Sequence, residues 1–418
     1  MLHTYQPSCK DPLGVFELET EAKYRSMMAL DIKNEIERQD ELIFNEALRI
    51  CPKCGAVMHS HGRTREITYL TSCGEVTLRL HRLRCINCGY IEVPSKRLIP
   101  TDRVSAVLAE RICDLASKMP YQKAADSLLI QHNIFISATS FWKYVQNEAF
   151  LIDDVIEEET KLLYTTGKAP DNCLDLNQQG PLIIGIDGGW VHGWRKQPSF
   201  EVKCATIATG SSPGPGKEHH LLNRVGYAAQ CSVEEFRKRI SLLAIKQGYN
   251  TASVCIFVSD GAYWISKMIS DYFPEAIHVL DMYHLKNKIF TYFGINAVGE
   301  DLELRDSAID ACNNFSPKEI LSALYCHSPS DVSKADKLRD LISYIINNFA
   351  SIENHKSVRI HGSGWIEKGV DLMISRRLKN RGMGWTLSGS ANMIPFAVMR
   401  YNKDWDKYWS IRKGLSLT

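Results

Sequence analysis

Two short apolar runs, each closed by an acid and a glycine, dominate the pattern along the chain. Leu182, Ile183, Ile184 and Ile186 are apolar on both faces, which predicts a strand in the middle of a covered sheet; the run ends on Asp187-Gly188-Gly189. Ser253 to Ser259 (SVCIFVS) repeats the design and ends on Asp260-Gly261. Between them FEVKCATIA and LLNRVGYAA predict two strands, and Val233 to Gln247 predicts a helix. After Asp260 come a helix over GAYWISKMISDYF, a strand AIHVLDMYH that closes on Asp281-Met-Tyr-His284, and a helix over LKNKIFTYF. Three strands, helix, strand, helix, strand, helix predict a mixed sheet in which the two Asp strands are neighbours.

Upstream the period changes. Residues 13 to 50 carry apolar positions at helical spacing among many acids and predict one or two amphipathic helices used for packing or self-association. REITYLTS and EVTLRLHRLRC alternate as the strands of a small ribbon. VLAERICDLASKM, PYQKAADSLLIQH and SATSFWKYVQNEAF predict three helices with a break at Asn133 to Ile136, the last capped by Ser137 or Thr139. Short helices so connected resemble a helix-turn-helix. The polar, turn-rich 168–180 predicts a linker, and 299–354 predicts an all-helical insertion. His361-Gly-Ser-Gly-Trp-Ile-Glu367 and a basic helix through Leu378 follow.

Cysteine spacing adds chemistry to the ribbon. Cys51-Pro-Lys-Cys54-Gly and Cys85-Ile-Asn-Cys88-Gly are two knuckles 30 residues apart, each a tight turn that aims two thiolates at one point, and the pair predicts a tetrahedral zinc site. Such a zinc can serve only to hold the ribbon together. Cys73 has no partner at ligand spacing. The odd total of 13 cysteines, otherwise scattered, argues against a disulfide framework.

Length and charge narrow the class. A chain of 418 residues exceeds one compact domain. No apolar run approaches the roughly 20 residues that span a bilayer, and MLHTYQPSCKDP lacks a basic-then-apolar leader, so a cytoplasmic location is expected. Net charge is only +2, yet it is unevenly spread. From Cys51 to Arg103, Lys53, Arg63, Arg65, Arg79, Arg82, Arg84, Lys96, Arg97 and Arg103 face only Glu66, Glu75, Glu92 and Asp102. A second basic run holds Arg376, Arg377, Lys379 and Arg381. A basic ribbon followed by a helix-turn-helix is expected to contact DNA phosphates, with Arg63, Arg65, Arg82, Arg84, Arg376 and Arg377 as candidates; the alternative for the last two is a solvated helix face.

A lone Asp-Gly-Gly most often caps a turn. Two neighbouring strands that both end in Asp change that reading, because adjacent carboxylates repel unless a cation lies between them; a divalent metal site is predicted.

These residues resemble a family, the bacterial insertion-sequence DDE transposases of the mutator-like kind. The resemblance rests on IDGG at Asp187, SDGAYWI at Asp260 with FPEAIHVLDMYH behind it, GSGWIEKG at Glu367, and RRLKNRGMGWTLSGSANM with the terminal WDKYW. It covers most of the chain from about Cys51 and implies a ribonuclease H-like core whose catalytic triad is Asp187, Asp260 and Glu367. Asp281 and His284 match that family's D-x-x-H signature and are read as site-supporting. The implied cofactors are two Mg²⁺ ions, about 3.5 to 4 Å apart, with Mn²⁺ as a possible substitute, beside a structural Zn²⁺. The implied partners are the element's terminal inverted repeats and target DNA, bound by at least a dimer.

The expected domains are N-terminal helices (1–50), zinc ribbon (51–100), helix-turn-helix-like domain (101–167), and an α/β ribonuclease H-like core (181–298 and 355–418) interrupted by the helical insertion (299–354). Competing functions are a DNA-binding repressor with a decayed core, and a ribonuclease or junction resolvase on the same fold. An intact triad speaks against the first, and a ribbon plus helix-turn-helix against the second. Asp371, one turn beyond Glu367, is the rival third acid.

Overall fold

A computed structural model describes residues 12–213, 219–358, 360 and 363–415 of the chain. The expected turn residues His361 and Gly362 lie outside the described residues. The chain divides into two compact units, Met1–Glu148 with Asp406–Thr418, and Ala149–Trp405. Among the described residues no helix is long and apolar enough to cross a membrane.

The first unit begins with a single 35-residue helix, α1 (Pro12–Glu46), where one or two were expected. Five strands follow: β1 (Met58–Arg63), β2 (Ile67–Thr71), β3 (Gly74–Leu78), β4 (His81–Cys85) and β5 (Ile91–Glu92). Strands β1, β4 and β5 form one antiparallel sheet, and β2 and β3 form a separate hairpin. The sequence reading missed β1, because MHSHGR has no run of β-branched residues.

Helix α1 is fixed to the ribbon along its second half. Ala29, Ile32 and Ile36 pack on Tyr69, Val76 and Leu78, and Phe44 stacks on the His81 ring at 4.4 Å. Asp40 is buried yet satisfied: its carboxylate accepts from the His81 backbone N–H, contacts His81 Nδ1 at 2.8 Å and accepts from the Ser95 hydroxyl.

Three helices follow, α2 (Ala106–Lys118), α3 (Tyr121–His132) and α4 (Ala138–Thr166). Ser105 caps α2 by accepting from the Leu108 N–H, Asn133 closes α3 in the left-handed conformation, and Ser137 accepts from the Ser140 N–H at the start of α4. Helix α4 runs well past the expected end at Phe150, and the boundary between the units falls within it.

The second unit is built on a five-stranded mixed sheet. Its strands and helices, in order, are β6 (Pro181–Val191), β7 (Phe200–Ala208), the short pair β8 (Ser211–Pro213) and β9 (His219–Leu221), β10 (Val225–Ala229), α5 (Val233–Lys246), β11 (Val254–Ser259), α6 (Tyr263–Tyr272), β12 (Ile277–Leu280) and α7 (Met282–Phe293). The sheet order is β10-β7-β6-β11-β12. The first three strands pair antiparallel, and β11 and β12 run parallel to β6, so the two Asp strands are neighbours as expected. One face packs Leu182, Ile184, Ile186 and Phe257 against Phe236, Ile240, Ile265 and Met268 of α5 and α6. Residues 168–180 form no helix or strand but are tied to the core, Leu174 N–H to the Lys246 carbonyl and Leu176 N–H to the Thr251 hydroxyl.

Four helices then form a satellite: α8 (Glu300–Asn313), α9 (Pro317–Tyr325), α10 (Val332–Asn347) and α11 (Phe349–Glu353). They share one apolar cluster with α7, in which Leu285 and Ile289 meet Cys312, Ile320, Leu324, Leu341 and Ile345. The other sheet face receives α12 (Gly364–Val370), which passes through a π-helical turn over Asp371–Ser375 into α13 (Arg376–Leu378). Helices α14 (Leu387–Ala391), α15 (Ile394–Tyr401) and α16 (Trp405–Arg412) complete the chain.

Nearly all of α16 belongs to the first unit, which corrects the expectation that all of 355–418 joins the core. The reason is electrostatic. Glu148 on α4 is buried, and its carboxylate accepts from Tyr408 Oη at 2.6 Å and Arg412 Nε at 3.0 Å, while Lys413 pairs with Glu110 at 2.7 Å. Removing one partner of a buried pair costs about 3 to 5 kcal/mol. Arg412→Ala is therefore expected to lower the unfolding free energy of the first unit by roughly 3 kcal/mol, and Glu148→Gln in the same background to restore part of it; denaturant titration of both variants measures this.

Candidate functional site

The two knuckles have the same backbone. Gly55 N–H donates to the Cys51 carbonyl and Gly89 N–H to the Cys85 carbonyl; Cys51 N–H donates to Ala56 and Cys85 N–H to Tyr90. Gly55 and Gly89 both have φ of 72°, a left-handed conformation that glycine adopts without penalty. The four Sγ atoms lie within 4.8 Å of one another, with Cys51 to Cys88 at 3.6 Å and Cys54 to Cys85 at 3.5 Å. A tetrahedron of sulfurs about 2.3 Å from a zinc has edges of about 3.8 Å, whereas a disulfide would need about 2.05 Å. The cluster can hold zinc. The thiols do not ionise alike: the Ala56 amide, then Cys85, hold Cys54 down at about 6, whereas Cys88, despite the Tyr90 amide, is pushed up to about 12 by burial and its sulfur neighbours.

The acids are arranged by register. Ile186, Ser259 and Leu280 are level across β6, β11 and β12. The next residues are Asp187, Asp260 and Asp281, a row of three across strands about 4.8 Å apart. They share the sheet face on which α12 lies. That helix comes close because the strand has no side chains on either side of Asp187. A Cβ on Gly185 would lie 2.4 Å from the Trp365 ring, and one on Gly189 would lie 3.1 Å from Ile374. Gly369 on the helix is as tight, its Cβ position 2.7 Å from the Thr206 hydroxyl.

Glu367 is thereby brought to the row. Its carboxylate, that of Asp281 and the His284 ring offer atoms within 4.8 Å of one another. Glu367 Oε2 is buried without a hydrogen-bond partner. Burial, foremost, and the charges of Asp281 and Asp187 push the Glu367 carboxyl above its ordinary range. Asp187 is also raised, by burial first and then by Asp260 and Asp281, against the lowering effect of the Gly188 amide and His284. An orphaned, half-buried carboxylate among other acids fits a divalent cation with hard oxygen ligands.

Asp281 differs from the others. It is only 2% exposed and already engaged: it caps α7 through the Tyr283 N–H at 2.9 Å, accepts from Ser363 Oγ at 2.7 Å and faces His284 Nε2 at 3.8 Å. The site-supporting pair of the sequence reading thus lies within 4.8 Å of Glu367. Asp371, the rival acid, points to Arg376 at 3.0 Å and Lys368 at 3.3 Å. The helical satellite holds the second Asp: Tyr344 Oη donates to the Asp260 carbonyl at 2.6 Å, and a Cβ on Gly261 would lie 2.4 Å from Asn348. A cavity of about 650 Å³ opens between Asp281, Glu367 and Phe315 of the satellite. Sequence reasoning missed Tyr344 and Ser363, since nothing local in the sequence marks their distant partners.

The expected DNA contacts separate. Arg65 and Arg84 are exposed, Arg63 is exposed but faces Glu41 at 3.5 Å, and Arg82 is half-buried, donating to the His61 carbonyl. Arg376 is exposed. Arg377 is not available to a phosphate: it is 4% exposed, with its guanidinium 4.7 Å from the Trp385 ring centre and Nη1 on Met383. This corrects its place among the contacts, because the turn to α13 directs it into the fold.

A protein from Streptococcus gallolyticus described as "UPF0236 protein in vanSb 3'region" is 23% identical over 364 residues, which span 83% of this chain and 74% of that protein. The family described as "Uncharacterised protein family (UPF0236)" matches residues 101–408. That span takes in the three helices, the mixed sheet, the acid row and Glu367, and starts beyond the four cysteines. The chain belongs to the UPF0236 family.

Proposed function

We propose that the chain is a DDE transposase that binds the ends of its own mobile element and catalyses Mg²⁺-dependent cleavage and transfer of DNA strands. The observation that carries this reading is the row Asp187, Asp260 and Asp281, level across three strands, with Glu367 within 4.8 Å of Asp281 and its buried Oε2 left without a hydrogen-bond partner. Three antiparallel strands followed by two parallel ones, with the Asp strands adjacent, are what a ribonuclease H-like core requires, and they support that assignment. The four-cysteine ribbon with exposed Arg65 and Arg84, and the three helices read as a helix-turn-helix, serve in this reading to bind double-stranded DNA.

Asp187, Asp260 and Glu367 are the proposed ligands. Mg²⁺ held by these carboxylates would lower the pKa of an attacking water or DNA 3′-hydroxyl and offset charge on the leaving oxygen. Asp281 acts as a positioning residue, holding Ser363 before α12 and the first turn of α7. His284, half-buried beside Glu367, can hydrogen-bond the phosphate. Arg376 is the proposed grip on the DNA backbone next to the site, at modest cost to its exposed pair with Asp371.

Asp187→Ala and Asp260→Ala are each expected to reduce cleavage of terminal inverted-repeat DNA by a thousandfold or more, on the order of several kcal/mol of lost stabilisation, while specific binding persists. Glu367→Gln should match them and Asp371→Asn should retain activity; an inactive Asp371 variant beside an active Glu367 variant would move the third ligand by one turn. A protein that binds the ends but never cuts them would instead be a repressor.

Elemental analysis is expected to find one zinc per chain, lost in Cys88→Ser together with tight end binding, while the catalytic unit stays folded.

The raised carboxyls set a pH dependence. Asp187 and Glu367 keep their protons to higher pH when folded than when unfolded, so they favour the metal-free fold at low pH, and this contribution is lost as pH rises through their folded values. Mg²⁺ binds the ionised form, so its gain in melting temperature should be small near about pH 5 and larger near about pH 8. Equal gains in wild type and Asp187→Ala would exclude this site.

A further inference from the structure

The two segments that carry Asp187 and Glu367 away from the acid row meet again at a cleft of about 720 Å³. Strand β6 runs on from Asp187 into Trp190 and Trp194; α12 runs on through α13 into Lys379 and Gly384. The titratable residues lining the cleft are His192, Arg195 and Lys379, with no acid among them. Both indoles are open to solvent, Trp190 at 66% and Trp194 at 49% exposure. Arg195 lies 5.4 Å from the Trp194 ring centre.

The floor is rigid. Trp194 N–H donates to the Trp385 carbonyl and Trp385 N–H to the His192 carbonyl, both at 2.9 Å. Trp385 is itself buried, its Nε1 on the Leu378 carbonyl. The two loops meet backbone to backbone: a Cβ on Gly384 would lie 3.0 Å from the Gly193 carbonyl oxygen. Exposed rings on a floor fixed by backbone hydrogen bonds, with Arg195 and Lys379 as the charged residues of the lining, make a preformed site for a flat aromatic group that carries negative charge beside it.

We propose that this cleft takes an unstacked base of the DNA strand whose phosphodiester lies at the acid row, with the base against Trp190 or Trp194 and the flanking phosphates on Arg195 and Lys379. Trp190 is three residues beyond Asp187, about 10 Å along the strand, within reach of nucleotides next to the scissile one. Alternate residues of a strand face opposite ways, so Trp190 turns from the Asp187 side, and only a base that has left the duplex stack meets it. A sugar or apolar peptide would use the rings but not the cations. The inference rests on the strand-cleavage reading for which strand is held, though not for the chemistry of the cleft.

The test is fluorescence anisotropy of the full-length protein with three fluorescein-labelled DNAs: a single strand, a duplex with one unpaired base, and the fully paired duplex, with Mg²⁺ omitted so that no strand is cut. Trp190→Ala and Trp194→Ala are expected to weaken binding of the first two by roughly tenfold, leaving the paired duplex unchanged, and the Phe variants to retain most of the affinity. Arg195→Ala, which leaves both rings, should weaken the same two DNAs and give a readout if an Ala variant misfolds. Unchanged single-strand binding in the Ala variants, or an equal loss on all three DNAs, would overturn the proposal. Trp-dependent binding in a protein that cuts nothing would retain the cleft and remove the cleavage reading; cleavage with no effect of the tryptophans would do the reverse.

Discussion

The close approach of α12 to β6 is the constraint on which the second unit depends. A helix packed on a sheet at ordinary distance would leave Glu367 short of the strand ends. Here the contact surface is cleared of side chains: Gly185 and Gly189 flank Asp187, Thr206 and Gly226 lie level with Gly185 on β7 and β10, and Gly369 faces them from the helix. Tyr401 fills the remaining space, its hydroxyl on Thr206 at 3.0 Å. Any Cβ at Gly185 would meet Trp365 at 2.4 Å and push the helix away. Asp187 and Glu367 cost free energy when charged, because burial first and then neighbouring carboxylates disfavour that form. The packing that places them there is set against that cost.

The helical satellite has a structural consequence for the same site. Its shared core with α7 fixes the helix that carries His284, and Tyr344 and Asn348 fix the turn after β11. The turn leaves the Asp260 side chain accepting a local bond in its own loop, from the Ala262 N–H, so its position is dictated from behind by the Tyr344 hydroxyl rather than from the cavity side. An insertion that merely hung from the loop would have no reason to bury Tyr344 against the Asp260 backbone.

How much of this was legible in the sequence follows the range of each interaction. Local signals read well: the succession of strands and helices, the two knuckles and the Ser137 cap rest on spacing within a few residues, and the succession implied the neighbouring Asp strands. Strand β1 was missed because its pairing with β4, not its own residues, makes it a strand. The place of α16 was misjudged because the buried Glu148 that captures it is 260 residues from Tyr408. Arg377 was misread because a basic run looks solvated in sequence, and only the π-helical turn before it decides that its side chain goes under Trp385. Asp281 was read as site-supporting, and its three engagements, which distinguish it from Glu367, could be read only once Ser363 and His284 were in space.

The two clusters differ in how they tolerate the absence of a cation, and that difference bears on their roles. The knuckles that carry the four thiols are held by their own backbone bonds, and Cys51 and Cys85 pack with Met58 and Leu83 in one apolar cluster. The acid row has no such reserve. Glu367 Oε2 has no donor, and the nearest cationic side chains on its own helix, Lys368 and Arg376, are spent on Asp371. A buried oxygen left unsatisfied beside a paired, more exposed acid one turn away leaves Glu367, and not Asp371, with its hydrogen-bonding capacity unused. That asymmetry, rather than the number of acids, sets Glu367 apart from the ion pairs of Asp371 on the same helix.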